Sequence, residues 1–274
     1  MSPRRLRIVW LCVLSVATAS FVSCVPEPKT HSKALPSPAA TLTVAAASDL
    51  RAPMQVLAPM FEQQQGFAVQ LVFGSSGLLA EQIANGAPYD VFASANREFV
   101  DRLVAQGLID KRTVAVYGYG YLAVVVPADD SRSIAPSLEN LRDAAIRRIA
   151  IAHPDHAPYG MLARTALTRA GLWETLRPKL VHAENVYSAG QLVSVGEVDA
   201  SIVALSVAKA LPSVRYSVVP TALYTPLAQT LGVVATSPNR EGAMRFAAFL
   251  LSPQAQAVLR HSGIPGPDDP PLRP

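Results

Sequence analysis

FGSSG, Phe73-Gly74-Ser75-Ser76-Gly77, decides how this chain folds. It follows the apolar run Ala68 to Phe73 and leads into Leu79, Gln82 and Ile83, which share one helix face, so a strand ends in small hydroxyl residues that open a helix. The same grammar occurs upstream in AAASDL, Ala45 to Leu50, where Ser48 directly follows the strand-like run Leu42 to Ala46. The first amides of a helix have no partner inside it, and the helix dipole adds partial positive charge there, so both entrances suit an oxyanion.

Working outward, Leu50, Met54, Leu57 and Phe61 form one helix face between these two strands, and Asn85-Gly86 closes the next helix. Asp90 to Ala93 reads as a third strand, before a helix carrying Phe99 and Leu103 that stops at Gln106-Gly107. This is βαβ organisation. Tyr119 to Pro127 is continuously apolar and is expected to form one central strand. A second αβ series follows: strand Ile149 to Ala152, helix Gly160 to Ala170, strand Leu180-Val181, helix Ser188 to Val195 and strand Ser201 to Leu205. Leu231 to Ala235 is a late strand, and Ser252-Pro253 opens the last of two final helices as an N-cap and first-turn pair.

The N-terminus has the form of an export signal, with Arg4, Arg5 and Arg7 before the apolar stretch Ile8 to Ala17, too short to span a bilayer. Phe21-Val22-Ser23-Cys24 resembles a bacterial lipobox, so residues 1–23 are expected to be removed and Cys24 lipidated as a membrane tether. A cut near Ala19-Ser20 is the alternative. Removal of residues 1–23 leaves 251 of 274, enough for two modest lobes, and lowers the formal charge of +4 to +1 because three arginines go with it. No basic stripe is left to suit nucleic acid. The two cysteines, Cys12 and Cys24, leave no pair for a disulfide or a thiolate metal site in the mature domain. Residues 24–41, rich in Pro, Ser and Ala, read as a flexible linker, with folding expected to begin near Leu42.

Six motifs then fall in an order that resembles the periplasmic molybdate-binding proteins of ABC transporters: AAASDL, FGSSG, NGAPYDVF (Asn85 to Phe92), HPDHAPYG (His153 to Gly160), AENV (Ala183 to Val186) and SIVALS (Ser201 to Ser206). The resemblance covers Leu42 to about Gly263. It implies an α/β, two-lobe periplasmic-binding-protein fold of type II, each lobe a sheet flanked by helices, and a binding protein that is not an enzyme and carries no cofactor. Residues 42–118 with 227–265 would form lobe 1, residues 119–226 lobe 2, and residues 266–274 a disordered tail, with hinge crossings near Tyr117 to Tyr119 and between Tyr224 and Leu231.

By the same resemblance Ser48 and Ser76 would offer hydroxyl and backbone donors to a molybdate or tungstate ion. Tyr159 and Val186 would add backbone N–H groups from the second lobe, and Asp49 another from the first. The partners implied are the oxyanion and a membrane ABC permease; the protein would act as a monomer at the periplasm or outer cell surface, tethered through Cys24. One position departs from the pattern: Ala204 stands where some members carry a tyrosine whose hydroxyl reaches the ligand, and Tyr159 is the nearby candidate to replace it.

A site made only of donors suits a fully deprotonated anion and disfavours hydrogen phosphate, because a buried polar group left unmet costs about 1–3 kcal/mol. The exception would be Asp49 turning its carboxylate inward to accept the ligand's proton. Taken singly, Ser48 and Ser76 are ordinary helix caps. His153 and His156 have the spacing of a metal pair but no further ligand cluster near in sequence, and no free metal cation is expected. Arg51, Arg97, Arg147 and Arg148 read as solvated surface charges. The alternatives are a receptor for another oxyanion or small anionic ligand, an exported serine hydrolase using Ser75 or Ser76, for which no histidine partner is identifiable, and a sensor lobe docking a membrane kinase.

Overall fold

A computed structural model of the protein describes residues 41–129, 134–270 and 272. The signal segment, Cys24 and all of the linker except Thr41 lie outside the described residues. In the first half of the chain β1 (Thr41–Ala47) is followed by a 3-10 turn, Ser48–Leu50, and by α1 (Arg51–Gln65). Next come β2 (Ala68–Gly74), α2 (Ser76–Ala84), β3 (Val91–Ser94), α3 (Arg97–Ala105) and β4 (Ala115–Gly120). The middle of the chain forms β5 (Leu122–Pro127), β6 (Ile149–Ala152), α4 (Pro158–Arg169), α5 (Trp173–Leu176), β7 (Leu180–Ala183), α6 (Val186–Ser194), β8 (Ala200–Ala204), α7 (Leu205–Ala210) and β9 (Val214–Val218). The chain then returns through β10 (Leu227–Val233), α8 (Arg240–Leu250) and α9 (Pro253–His261).

The strands make two five-stranded sheets of matching layout, β2-β1-β3-β10-β4 and β7-β6-β8-β5-β9. In each, three parallel strands lie at one side, β1 with β2 and β3, β6 with β7 and β8. The antiparallel fourth strand, β10 or β5, is the one that arrives from the other lobe. The residues explain this. β1 and β5 are central and covered on both faces, so they read as nearly continuous Ala, Val and Leu instead of alternating. α1 buries Met54, Leu57 and Phe61 against the first sheet, each worth about 1.5–3 kcal/mol, and Gly66 ends it at φ 73°, where a side chain would be strained. Ser252 accepts from Ala255 N–H and Pro253 takes the first turn of α9.

Two expectations change here. The apolar run Tyr119 to Pro127 is not one strand: Tyr119 and Gly120 end β4 in the first sheet, and Leu122 to Pro127 form β5 in the second, so the chain crosses between lobes at Tyr121. β5 is a central strand and β4 an edge strand, but Gly120, Tyr121 and Leu122 are all buried where one passes into the other, which is why apolarity ran through the break. The return crossing falls between Tyr224 and β10, where the Tyr224 hydroxyl accepts from Leu122 N–H at 3.0 Å and pins the two crossings together. A disordered tail was expected over residues 266–274; the described part of it, residues 266–270 and 272, makes contacts with the rest of the fold. Asp269 accepts from Arg260 Nε at 2.9 Å and from Gly266 N–H at 2.7 Å, and Leu272 packs against the core of the second sheet.

Candidate functional site

Parallel strands followed by helices put the helix entrances at the strands' carboxyl ends, the usual crevice of open α/β sheets. Four such entrances meet here: Ser48 after β1, Ser76 after β2, Pro158-Tyr159 after β6 and Val186 after β7. Ser48, Asp49, Ser76, Tyr159 and Val186, the five residues expected from the sequence, line one cavity together with Ala47, Gly74, Ser75, Ala95, Ala157 and Pro158. Its volume is only about 10 Å³, about the room of one water-sized sphere and far below the roughly 300–1,000 Å³ of sites for drug-sized ligands, so its scale is that of a small ion. No lysine or arginine is among these lining residues.

The serines are not simple caps. Ala95 N–H donates to Ser76 Oγ at 2.9 Å, and Tyr187 N–H donates to Ser48 Oγ at 3.5 Å, the second across the two lobes. Each oxygen is thus used as an acceptor, which leaves its O–H as a donor. Tyr159 is the second residue of α4 after Pro158, and Val186 the first of α6, positions whose amides have no intrahelical partner. Asn185 caps α6 by accepting from Ser188 N–H at 3.0 Å, so one first-turn amide is spoken for and Val186 N–H is not.

Further contacts cross the cleft beside the cavity. Gly77 N–H donates to the His156 carbonyl at 3.0 Å. Ser75 Oγ and His156 Nδ1 lie 2.9 Å apart. Tyr159 O–H donates to Asp49 Oδ2 at 2.9 Å, and the same oxygen accepts from Gln229 Nε2 at 2.6 Å, while Gln229 also donates to the Tyr159 oxygen at 2.8 Å. Asp49 is 1 % exposed, and burial pushes its carboxyl up to about 6 despite these hydrogen bonds. Burial and the neighbouring Asp49 hold the Tyr159 and Tyr117 hydroxyls well above their ordinary value.

Several outcomes differ from the sequence reading. The Tyr159 hydroxyl is committed to Asp49 and Gln229, so it does not stand in for the tyrosine absent at Ala204. Arg51 is not a free surface charge: its guanidinium sits 4.4 Å from the Phe73 ring and 4.7 Å from the Tyr187 ring, one from each lobe. Ser75 has a histidine partner after all, yet burial and the adjacent His153 pull the His156 imidazole below its usual value, and the cavity has no room for an acyl substrate. The rings of His153 and His156 stack 11° from parallel at 4.9 Å, a ring contact that the sequence did not signal. Gln229, 180 residues from Asp49, and Gly120, where a Cβ would run into the Tyr159 hydroxyl, carried no local signal.

Comparison with known proteins agrees with this geometry. A family model described as bacterial extracellular solute-binding protein matches residues 42–264. The chain belongs to that family. It is 34 % identical over 232 residues to the Molybdate-binding protein ModA of Escherichia coli (strain K12), covering 81 % of this chain and 88 % of that protein. It is 30 % identical over 230 residues to the Molybdate-binding protein ModA of Rhodobacter capsulatus, covering 84 % and 90 %. Among solved structures it is similar to the periplasmic molybdate-binding protein of Azotobacter vinelandii, at TM-score 0.77 and 30 % identity, over 83 % of this chain and 100 % of that one. The two-lobe α/β architecture of this family member is that of a binding protein.

Proposed function

We propose that the chain is the receptor of an ABC transporter that captures molybdate or tungstate outside the cytoplasm and passes it to a membrane permease. One observation carries the reading: Ser48, Ser76, Tyr159 and Val186, from two strand ends of each sheet, open onto one ion-sized cavity with no basic side chain on its wall. A small dianion there would receive the Ser48 and Ser76 hydroxyls and backbone N–H groups at the helix entrances, those of Tyr159 and Val186 among them, all uncharged and all pre-aligned. Asp49 N–H stands beside them.

The relatives named for molybdate support that ion, and the scale of the cavity supports a mineral anion over an organic one. In this reading Tyr121 and the Thr225-Pro226 segment are the hinge strands about which the lobes open and close. The first lobe is then residues 42–120 with 227–265, and the second 121–226. The mature chain works as a monomer, held at the membrane by lipid on Cys24. Ala204 favours a second reading, a receptor for another oxyanion, because the site lacks the tyrosine donor of some relatives.

Calorimetry of the purified protein with molybdate, tungstate, sulfate and phosphate ranks these. Saturable heat with molybdate or tungstate at concentrations where sulfate gives none is the expected result; tighter binding of sulfate or phosphate selects the second reading, and silence with all four rejects both.

A further inference from the structure

Asp49 brings the one carboxyl group to the wall of the cavity, and its two oxygens are treated differently. Oδ2 accepts from Tyr159 and Gln229, which fills both of its lone-pair directions. Oδ1 is buried and has no hydrogen-bond partner among the described residues. A dianion entering this cavity is therefore set beside a carboxylate in a water-poor wall. Like charges so placed are costly, and one proton removes the conflict. With Oδ2 occupied, Oδ1 is the atom left to take it. Once protonated, Asp49 carries an O–H, and the wall presents donors only.

We propose, on the reading that the cavity binds a doubly charged oxyanion, that Asp49 is its specificity-determining acid: the ion is captured together with one proton, which resides on Asp49 Oδ1. Whether that proton comes from solvent or arrives on a hydrogen oxyanion, the closed complex has the same composition.

The surroundings leave this role to Asp49. Against it stand Tyr159 of α4, Tyr117 of β4 and neutral Gln229 of β10; α6 packs on the turn with Tyr187, whose N–H bonds Ser48, α1 opens with Arg51, and α7, which also packs there, carries Lys209 as its one charged residue. Tyr117 and Tyr159 are held too high to exchange a proton near neutrality. Arg51 is engaged by two rings, and Lys209 by the His261 carbonyl. His156, bonded to Ser75, is held below its usual value. The Asp49 carboxyl already sits at about 6 in the ion-free cavity, and a neighbouring dianion moves it further up, so above that pH the empty site is ionised and the filled site is not.

The test is calorimetry of the purified protein with sodium molybdate, near pH 7.5, in a series of buffers that differ in ionisation enthalpy. The observed heat should vary with the buffer with a slope approaching one proton taken up per ion, and affinity should fall up to about tenfold per pH unit as pH rises. In Asp49→Asn the amide supplies the N–H donor permanently while its oxygen keeps Tyr159 and Gln229. That variant should show a slope near zero, no pH trend, and tighter binding than the parent at the alkaline end. Molybdate binding without proton uptake in the parent overturns the proposal and leaves the functional reading standing, as does an unchanged slope in a folded Asp49→Asn. Absence of molybdate binding to the parent overturns the functional reading and this proposal with it. Should Asp49→Asn not fold, the buffer series on the parent decides alone.

Discussion

Gly77 and His156 touch across the cleft: the Gly77 N–H donates to the His156 carbonyl at 3.0 Å, and a Cβ on Gly77 would be driven into that same oxygen. The contact joins the second residue of α2 in one lobe to the loop before α4 in the other, beside the cavity. Glycine is therefore set by the approach of two lobes, not by backbone strain.

This separates folding from closure. In the open molecule Gly77→Ala replaces a poor helix residue by the best one, which favours α2 by up to about 1 kcal/mol. In the closed molecule it collides with His156. The unliganded variant should melt at or above the parent temperature while its affinity for molybdate falls about tenfold or more; a lowered melting temperature with normal affinity would contradict the inter-lobe role.

Ser76 serves two masters, accepting from Ala95 N–H and holding its own proton for the ion. Ser76→Ala should weaken molybdate binding by about 1.5–3 kcal/mol, the worth of a hydrogen bond to a charged group. It should also cost about 1 kcal/mol of stability through the orphaned Ala95 amide. Calorimetry and denaturant melts read the two effects apart, and unchanged affinity would remove Ser76 from the site.

Gly120 and Tyr159 form a testable pair. A Cβ at Gly120 would run into the Tyr159 hydroxyl and approach Gln229 Nε2, so Gly120→Ala should disturb the Asp49 cluster and lower stability. Tyr159→Phe removes the atom struck. In the double variant the cost of Gly120→Ala should shrink by about 0.5–3 kcal/mol, the range of coupling between touching residues. Additive costs would mean that the hydroxyl is not what fixes glycine there.

The raised carboxyl of Asp49 makes a prediction for the empty protein. A group at about 6 folded and 3.8 unfolded binds more protons when folded between those values, so its contribution to stability is present in full below 3.8 and is lost as pH rises through 6. At neutral pH the buried charge then costs up to about 3 kcal/mol. Asp49→Asn should be more stable than the parent near pH 7 and lose that advantage near pH 4, read from urea midpoints. Parallel curves for the two proteins would contradict it.

Much of this was legible in the chain because local chemistry dictated it. β-Branched runs ended in Ser or Asn at helix entrances, and the structure brings Ser48, Asp49, Ser76, Tyr159 and Val186 to one cavity. The break at Tyr121 was hidden because Gly120, Tyr121 and Leu122 are all buried where β4 passes into β5, and apolarity does not say which sheet a strand joins. Gln229 and His156 were hidden for a different reason. Their partners, Asp49 and Ser75, lie 180 and 81 residues away, and a polar side chain whose hydrogen bond is satisfied only across a hinge has no pattern of its own. Arg51 was misjudged because stacking between Phe73 and Tyr187 depends on the second lobe closing over the first.

The most direct measurement is an anomalous-scattering map, at the molybdenum edge, of a crystal grown with molybdate. The account predicts one metal-edge peak in the cleft, its oxygens within hydrogen-bond reach of the Ser48 and Ser76 hydroxyls and of the Tyr159 and Val186 amides. A peak elsewhere, or an ion held by lysine or arginine side chains, would contradict it.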